Sequence, residues 1–212
     1  MQQDLTIRIL QSIHHAENQT IMIREVLTGI RTALGLDKVG LRLSEKGQYP
    51  FYQLDRAEWT PERPADLLPP AGDEIGCRLD ADGQLPLACL CGAVLEKRTD
   101  PTQPFFTRGG SFFTGNLPET LRQIRQNSPS SPLFRDHCLA EGIQTLILVP
   151  IANGPEVVGL LHLSDTRPNR MTADVIPFLE NLGNTLGLAL QRNQLLEDLK
   201  AQHKQLEHAL AD

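Results

Sequence analysis

The sequence is poor in the features that mark most function classes. No apolar window approaches about eighteen uninterrupted residues, which excludes a helical membrane span. Met1-Gln2-Gln3-Asp4 lacks the basic and then apolar pattern of a secretory signal, so a cytoplasmic location is expected. Cysteine is sparse, with four in 212 residues. A cytoplasmic compartment keeps thiols reduced, so a structural disulfide framework is not expected. Positive charge is short as well. The formal net charge is −6, which supplies no basic face for nucleic acid and no attraction to an anionic membrane. No nucleic-acid partner and no membrane insertion are therefore expected. Charge forms no long block of one sign, and no internal repeat is present. No Ser-His-Asp order, P-loop or G-x-G-x-x-G word stands in a credible context, so the chain itself is not expected to be an enzyme. C-x₂-C pairs, the strong zinc signature, are missing.

What is present is an alternation of helical and strand patterns. Leu5, Ile9, Ile13 and Ala16 predict a first helix. Ile23, Val26, Leu27, Ile30 and Leu34 predict a second, ended by Gly35. Val39, Leu41 and Leu43 alternate, as in a half-buried strand over 38–43. Residues 48–54 and 74–79 are further strand candidates, separated by a proline-rich excursion after Trp59. A short helix is predicted over 87–97, a strand over 111–114, and helices over 118–126 and 133–140. Residues 145–151 are nearly all apolar and should lie centrally in a sheet. Asn153-Gly154 is the hairpin signal that joins them to a strand over 157–163. Thr172 is the expected cap of a long last helix. Leu188, Arg192, Leu195, Leu199, Gln202, Leu206 and Ala209 continue that helix at heptad spacing. Such a stripe either folds back on its own domain or forms a parallel two-stranded coiled coil. The coiled coil is the expectation, because the stripe runs past the last plausible domain contact.

The order of these elements resembles a GAF domain over about residues 21–190. The words that carry the resemblance are Asp37-Lys38-Val39-Gly40-Leu41-Arg42-Leu43, Val149-Pro150-Ile151 and Val158-Gly159-Leu160-Leu161-His162-Leu163-Ser164-Asp165. A bacterial subgroup, joined to sensor histidine kinases or other signalling modules, is similar in finer detail. It carries stretches like Cys89-Leu90-Cys91-Gly92, Arg98-Thr99-Asp100-Pro101, Pro104-Phe105-Phe106-Thr107 and Gly109-Gly110-Ser111-Phe112, then Cys138 and Glu141-Gly142. Tyr49-Pro50-Phe51-Tyr52 is similar to an aromatic stretch of the same group, and Cys77 falls outside the pattern. The resemblance implies an α/β (α+β) fold, with a central antiparallel sheet of about six strands between helices and long terminal helices. It implies an N-terminal helix over 1–17, a sensory domain over 18–190 and a signalling helix over 191–212. It also implies a small-molecule or redox sensor that relays a signal through a dimeric helix to an output module.

The candidate site gathers the chemistry in the middle of the chain. Cys89, Cys91 and Cys138 are buried structural thiols, redox-sensing or ligand-lining thiols, or ligands of zinc or an iron–sulfur cluster with His137 or His162. On a regular helix Cys89 and Cys91 would point about 200° apart and could not share one ion. Phe105, Phe106, Phe112 and Phe113 form either a small core under a loop or a cavity wall. Thr107, Gly109, Gly110, Ser111 and Phe112 are the candidate ligand-binding stretch, with the glycines letting backbone amides approach a ligand. Arg108 and Arg135 could pair with an anionic ligand, though each arginine also suits a solvated surface. His14-His15 is a weak metal motif, and His162 on a strand reads as a packed core histidine. Two other functions stay open. One is a thiol-dependent reductase of the free methionine sulfoxide type, which the C-x-C spacing does not resemble. The other is a ligand-free dimerisation scaffold.

Overall fold

The computed structural model describes residues 2–15, 19–44, 51–54, 59–61, 89–127 and 137–211. Helix α1 is Gln2–His15 and α2 is Gln19–Leu34. Leu5, Ile9 and Ile13 recur every four residues and are all buried, as are Ile23, Val26, Leu27 and Ile30. The chain leaves α2 through Gly35, whose φ of +62° is the left-handed turn that favours glycine. Its N–H donates to the Arg31 carbonyl at 2.8 Å, closing the helix.

The sheet has strands β1 (Lys38–Leu43), β2 (Phe51–Leu54), β3 (Trp59–Pro61), β4 (Phe112–Thr114), β5 (Thr145–Asn153) and β6 (Glu156–Asp165). Their order is β3-β2-β1-β6-β5-β4, and every neighbouring pair is antiparallel. The packed body of the sheet is four strands, β1, β6, β5 and β4. The expectation of about six strands holds only with the short β2 and β3 counted at one edge. The third strand in chain order is therefore Trp59–Pro61, inside the stretch expected to be irregular. An edge position tolerates Pro61, which has no N–H to give a ladder. The strand expected over 74–79 lies outside the described residues, as do Cys77 and Arg135.

The β5–β6 hairpin turns on Gly154 and Pro155, one residue later than Asn153-Gly154 implied. Asn153 pairs with Glu156 across it. Gly154 takes the positive φ, +57°, that a first turn residue of the II′ type needs. Proline's fixed φ suits the second.

Helices cover both faces. The first face packs Val39, Leu41, Leu43, Ile147, Val149, Ile151, Leu161 and Leu163 against α1, α2 and the start of α6 (Ile176–Ala211). The second packs Phe112, Leu146, Leu148 and Leu160 against α3 (Leu90–Leu95), α4 (Leu117–Asn127) and the short α5 (His137–Ala140). Helix α3 is briefer than the pattern predicted. In α3 the helix begins only after Cys89, which takes the cap position with extended backbone. Residues 133–136, the front of the other predicted helix, lie outside the described residues.

The entry to α6 also departs from expectation. Thr172 makes no capping bond to the backbone. Its hydroxyl donates instead to the Asp174 carboxylate, and a single 3₁₀ turn, Ala173–Val175, precedes α6. Then α6 runs 36 residues without a break. Gly183 and Gly187 lie directly on β5, and a Cβ at either would strike the carbonyl oxygen of Pro150 or Ala152. Beyond that contact the stripe surfaces: Leu188, Leu195, Leu199 and Leu206 are 58–62% exposed. Among the described residues no helix is long and apolar enough to cross a membrane.

Candidate functional site

Strand alternation sorts side chains between the faces. Because Val39, Leu41 and Leu43 belong to the first core, Lys38, Gly40 and Arg42 belong to the second face. The strand register then lays that face out in rows. Lys38 lies beside Ser164 and Leu146, with Thr114 at the far edge. Gly40 lies beside His162, Leu148 and Phe112. Arg42 lies beside Leu160 and Pro150. One half of the face is thus apolar and the other polar, and both are buried. β1 was expected to be half-buried, yet five of its six residues are buried on both sides.

The polar half holds unusual groups for an interior. Arg42 is 7% exposed, His162 9% and Ser164 1%. The Ser164 hydroxyl has no hydrogen-bond partner among the described residues. At the rim Lys38 Nζ donates to Glu141 Oε2 at 2.9 Å. Burial pushes the His162 imidazole down to about 4, helped by the charges of Arg42 and Lys38 and opposed by Glu141. His162 is accordingly a neutral, packed histidine at neutral pH.

The apolar half holds the thiols and the phenylalanines. Cys91 is buried among Leu90, Val94, Leu95, Phe105, Phe112 and Leu148, and Cys89 and Cys138 pack against the same cluster. Three of the expected site cysteines therefore share one neighbourhood. They do not form a metal set: no three His, Cys, Asp or Glu side chains are grouped to hold an ion among the described residues. The cause is local. Cys89 turns back to accept from Gly92 N–H at 3.4 Å, while Cys91 faces the core from inside the helix. His137 opens α5, but its side chain lies outside the described residues. Phe106 meets Phe105 and Phe112 edge to face, and Phe105 lies tilted against Phe112, with centroids 5.1–5.8 Å apart. Phe113 alternates to the first face.

The turn that joins these phenylalanines goes elsewhere. Phe106 bridges Phe112, and Thr107 N–H donates to the Ser111 carbonyl at 2.9 Å. Ser111 N–H donates to Thr107 Oγ1 at 3.0 Å. Gly110 completes the turn with φ of +83°. Thr107 Oγ1 donates to Glu180 Oε1 of α6 at 2.5 Å, and Gly109 lies so close to that carboxylate that a Cβ would collide with it. Thr107 and Gly109 thus meet the last helix, and Arg108 is exposed. Ser111 is fully buried, its hydroxyl without a partner among the described residues.

A sheet clad on both faces, a mixed second face and an emergent last helix match a known architecture. The GAF domain family model matches residues 21–190. The chain belongs to the GAF family. GAF domains are regulatory, ligand-binding domains of signalling proteins. Solved GAF structures agree in fold. The GAF domain of a phosphoenolpyruvate-protein phosphotransferase from Coxiella burnetii aligns at a TM-score of 0.59 and 14% identity, over 93% of this chain and 96% of its own. Free methionine-R-sulfoxide reductase from Neisseria meningitidis, in complex with its substrate, aligns at 0.59 and 10%, over 92% and 91%. The nlh2 GAF domain of A. aeolicus, in an inactive state, aligns at 0.57 and 13%, over 91% and 96%. At such identities the likeness is one of fold. No curated protein matches the chain in sequence.

Sequence reasoning missed Arg42, Ser164 and Glu180 in this GAF domain. Arg42 and Ser164 look like solvent-facing partners in alternating strands. Only a sheet covered on both faces makes them interior. Nothing in the sequence pairs Glu180 with Thr107, seventy-three positions away.

Proposed function

We propose that this GAF domain is a small-molecule sensor of a cytoplasmic bacterial signalling protein, and that its occupied second face is reported through α6. One observation carries the reading. The 107–111 turn has one end in the phenylalanine cluster of the second face and the other on Glu180 of α6. A ligand that moved Phe106 or Phe112 would pull on that hydrogen bond. β5 offers a parallel route. Its Leu146 and Leu148 belong to the second face, and its Pro150 and Ala152 carbonyls touch Gly183 and Gly187 of α6.

The exposed stripe of α6 then receives a second copy, giving a parallel homodimer that carries the signal to an output module. Arg192 and Gln202 interrupt the stripe and favour one register. The thiols Cys89, Cys91 and Cys138 line the ligand side in this reading, and the domain itself turns over nothing.

Sedimentation of the chain beside a Leu195→Glu/Leu199→Glu variant tests the relay. The chain should sediment as a dimer and the variant as a monomer whose sheet domain melts at an unchanged temperature. A monomeric parent chain rejects the relay. Turnover of free methionine sulfoxide with a thiol reductant, abolished by Cys89→Ser or Cys91→Ser, would replace the sensor with the reductase.

A further inference from the structure

A cluster of charged groups sits at one end of the sheet, away from the second face. It gathers where α2 ends, β1 and β5 begin, β6 ends and the chain turns toward α6. Asp37 and Asp165 are both buried there, and two buried carboxylates need positive charge close by. Arg167 supplies it. Its Nε donates to Asp165 Oδ1 at 2.8 Å and its Nη2 to Asp165 Oδ2 at 2.7 Å, the two-bond fork of a guanidinium on a carboxylate. The same Nη2 lies 3.7 Å from Asp37 Oδ1. Asp37 also grips the loop, its Oδ2 accepting from Thr166 Oγ1 at 2.7 Å and from Thr166 N–H at 3.2 Å. Burial works against the charged form of Asp165, and the bonds from Arg167 overcome it, holding the carboxyl below its ordinary range. This clasp is therefore ionised and closed at neutral pH.

The clasp joins two helices that are far apart in the chain. Arg167 Nη2 and Arg170 Nη2 each donate to the Gly35 carbonyl at 3.2 Å, at the left-handed residue that ends α2. The C-terminal end of a helix carries partial negative charge, so guanidiniums suit it. The same loop is sewn to β5. Thr145 Oγ1 donates to the Arg167 carbonyl at 2.7 Å and accepts from Arg170 N–H at 3.0 Å. Residues 166–170 are all exposed, so charge and hydrogen bonds, rather than apolar burial, hold them in place. Half of the Arg167 side chain stays in water, so its fork can open without unpacking the core. Beyond Arg170 the chain reaches α6 through Met171, Thr172 and the 3₁₀ turn Ala173–Val175.

We infer that this clasp is a second input to α6. It ties the end of α2 to the start of α6, so a shift of the N-terminal helices reaches the last helix at its base, as the 107–111 turn reaches it at Glu180. The coupling needs no ligand, so it stands or falls apart from the sensor reading.

Gly35 offers a way to push on the clasp from the α2 side. A Cβ there would lie 2.7 Å from Arg170 Nη2, and the positive φ strains any other residue. Amide-resolved hydrogen exchange of the full chain reads the response. Gly35→Ala should speed exchange at 166–170 and over 176–186 of α6 at least fivefold, and leave the 107–114 amides unchanged. In an Arg167→Lys/Arg170→Met background, which keeps a charge beside the carboxylates and loses the fork, the same substitution should change 176–186 less than twofold. Should that background not fold, Arg170→Met alone should at least halve the response. An equal response of α6 with and without the arginines overturns the inference, because the push then travels by another contact, such as Asn193 on Met22. An effect that stops at Arg170 overturns it too, since the clasp then only staples a loop. So does a uniform rise at every amide, 107–114 included, which reports a weaker fold and no coupling.

Discussion

The two faces of the sheet follow different rules. The first is apolar through its centre, with Thr145 and Asp165 buried at one end of it, and three long helices cover it. The second joins an apolar half to a buried polar half containing an arginine, a neutral histidine and a serine whose hydroxyl has no partner among the described residues. Hydrophobic burial stabilises, and unpaired polar groups in the interior do the opposite. The first face therefore holds the fold together. The second gives up stability at Ser164, whose hydroxyl has no partner among the described residues, and it is the face proposed above to meet a ligand.

Three substitutions probe this contrast. Leu161→Ala removes a fully buried side chain from the first face and should cost about 2–5 kcal/mol in denaturant unfolding. A smaller cost than any second-face change would break the comparison.

His162 should give the next effect, through pH. Its folded value of about 4 lies below the ordinary 6.5, so the unfolded chain takes up its proton first. The stability His162 allows is whole above about pH 6.5 and falls away as pH drops toward 4. The loss is on the order of 3 kcal/mol. His162→Gln should flatten that part of the stability–pH curve relative to the parent. Parallel curves for the two proteins would place His162 in solvent.

Ser164→Ala should give the smallest effect, within about 1 kcal/mol of neutral and of either sign. A clear destabilisation would mean that its hydroxyl already has a partner and that the polar half is structural.

Much of the architecture is legible in the residues themselves. Ile147, Val149 and Ile151 announce a central strand. The four-residue step of Leu5, Ile9 and Ile13 announces a helix, and Gly35 its end. These are local signals, and local geometry obeys them. The family resemblance likewise reaches the fold. The candidate site was only partly legible. Cys89, Cys91, Phe112 and Cys138 do converge on one cluster, because short segments around an apolar sheet face must bury their non-polar side chains there. Thr107 and Gly109 belong with α6 instead. Their destination depends on where a distant helix lies, which no local pattern encodes. Arg42 and Ser164 were hidden for a related reason. Alternation shows that they share a side, and only the cladding of that side makes them interior.

The unbroken length of α6 has a mechanical corollary. From Glu180, where the turn grips it, to Leu206 is a rigid arm of roughly 39 Å at the ordinary helical rise. Gly183 and Gly187 seat it on β5 like a fulcrum. Pivoting there by about 5° would swing the Leu206 end by about 3 Å, so a displacement too small to disturb the sheet becomes one that a neighbouring helix must answer.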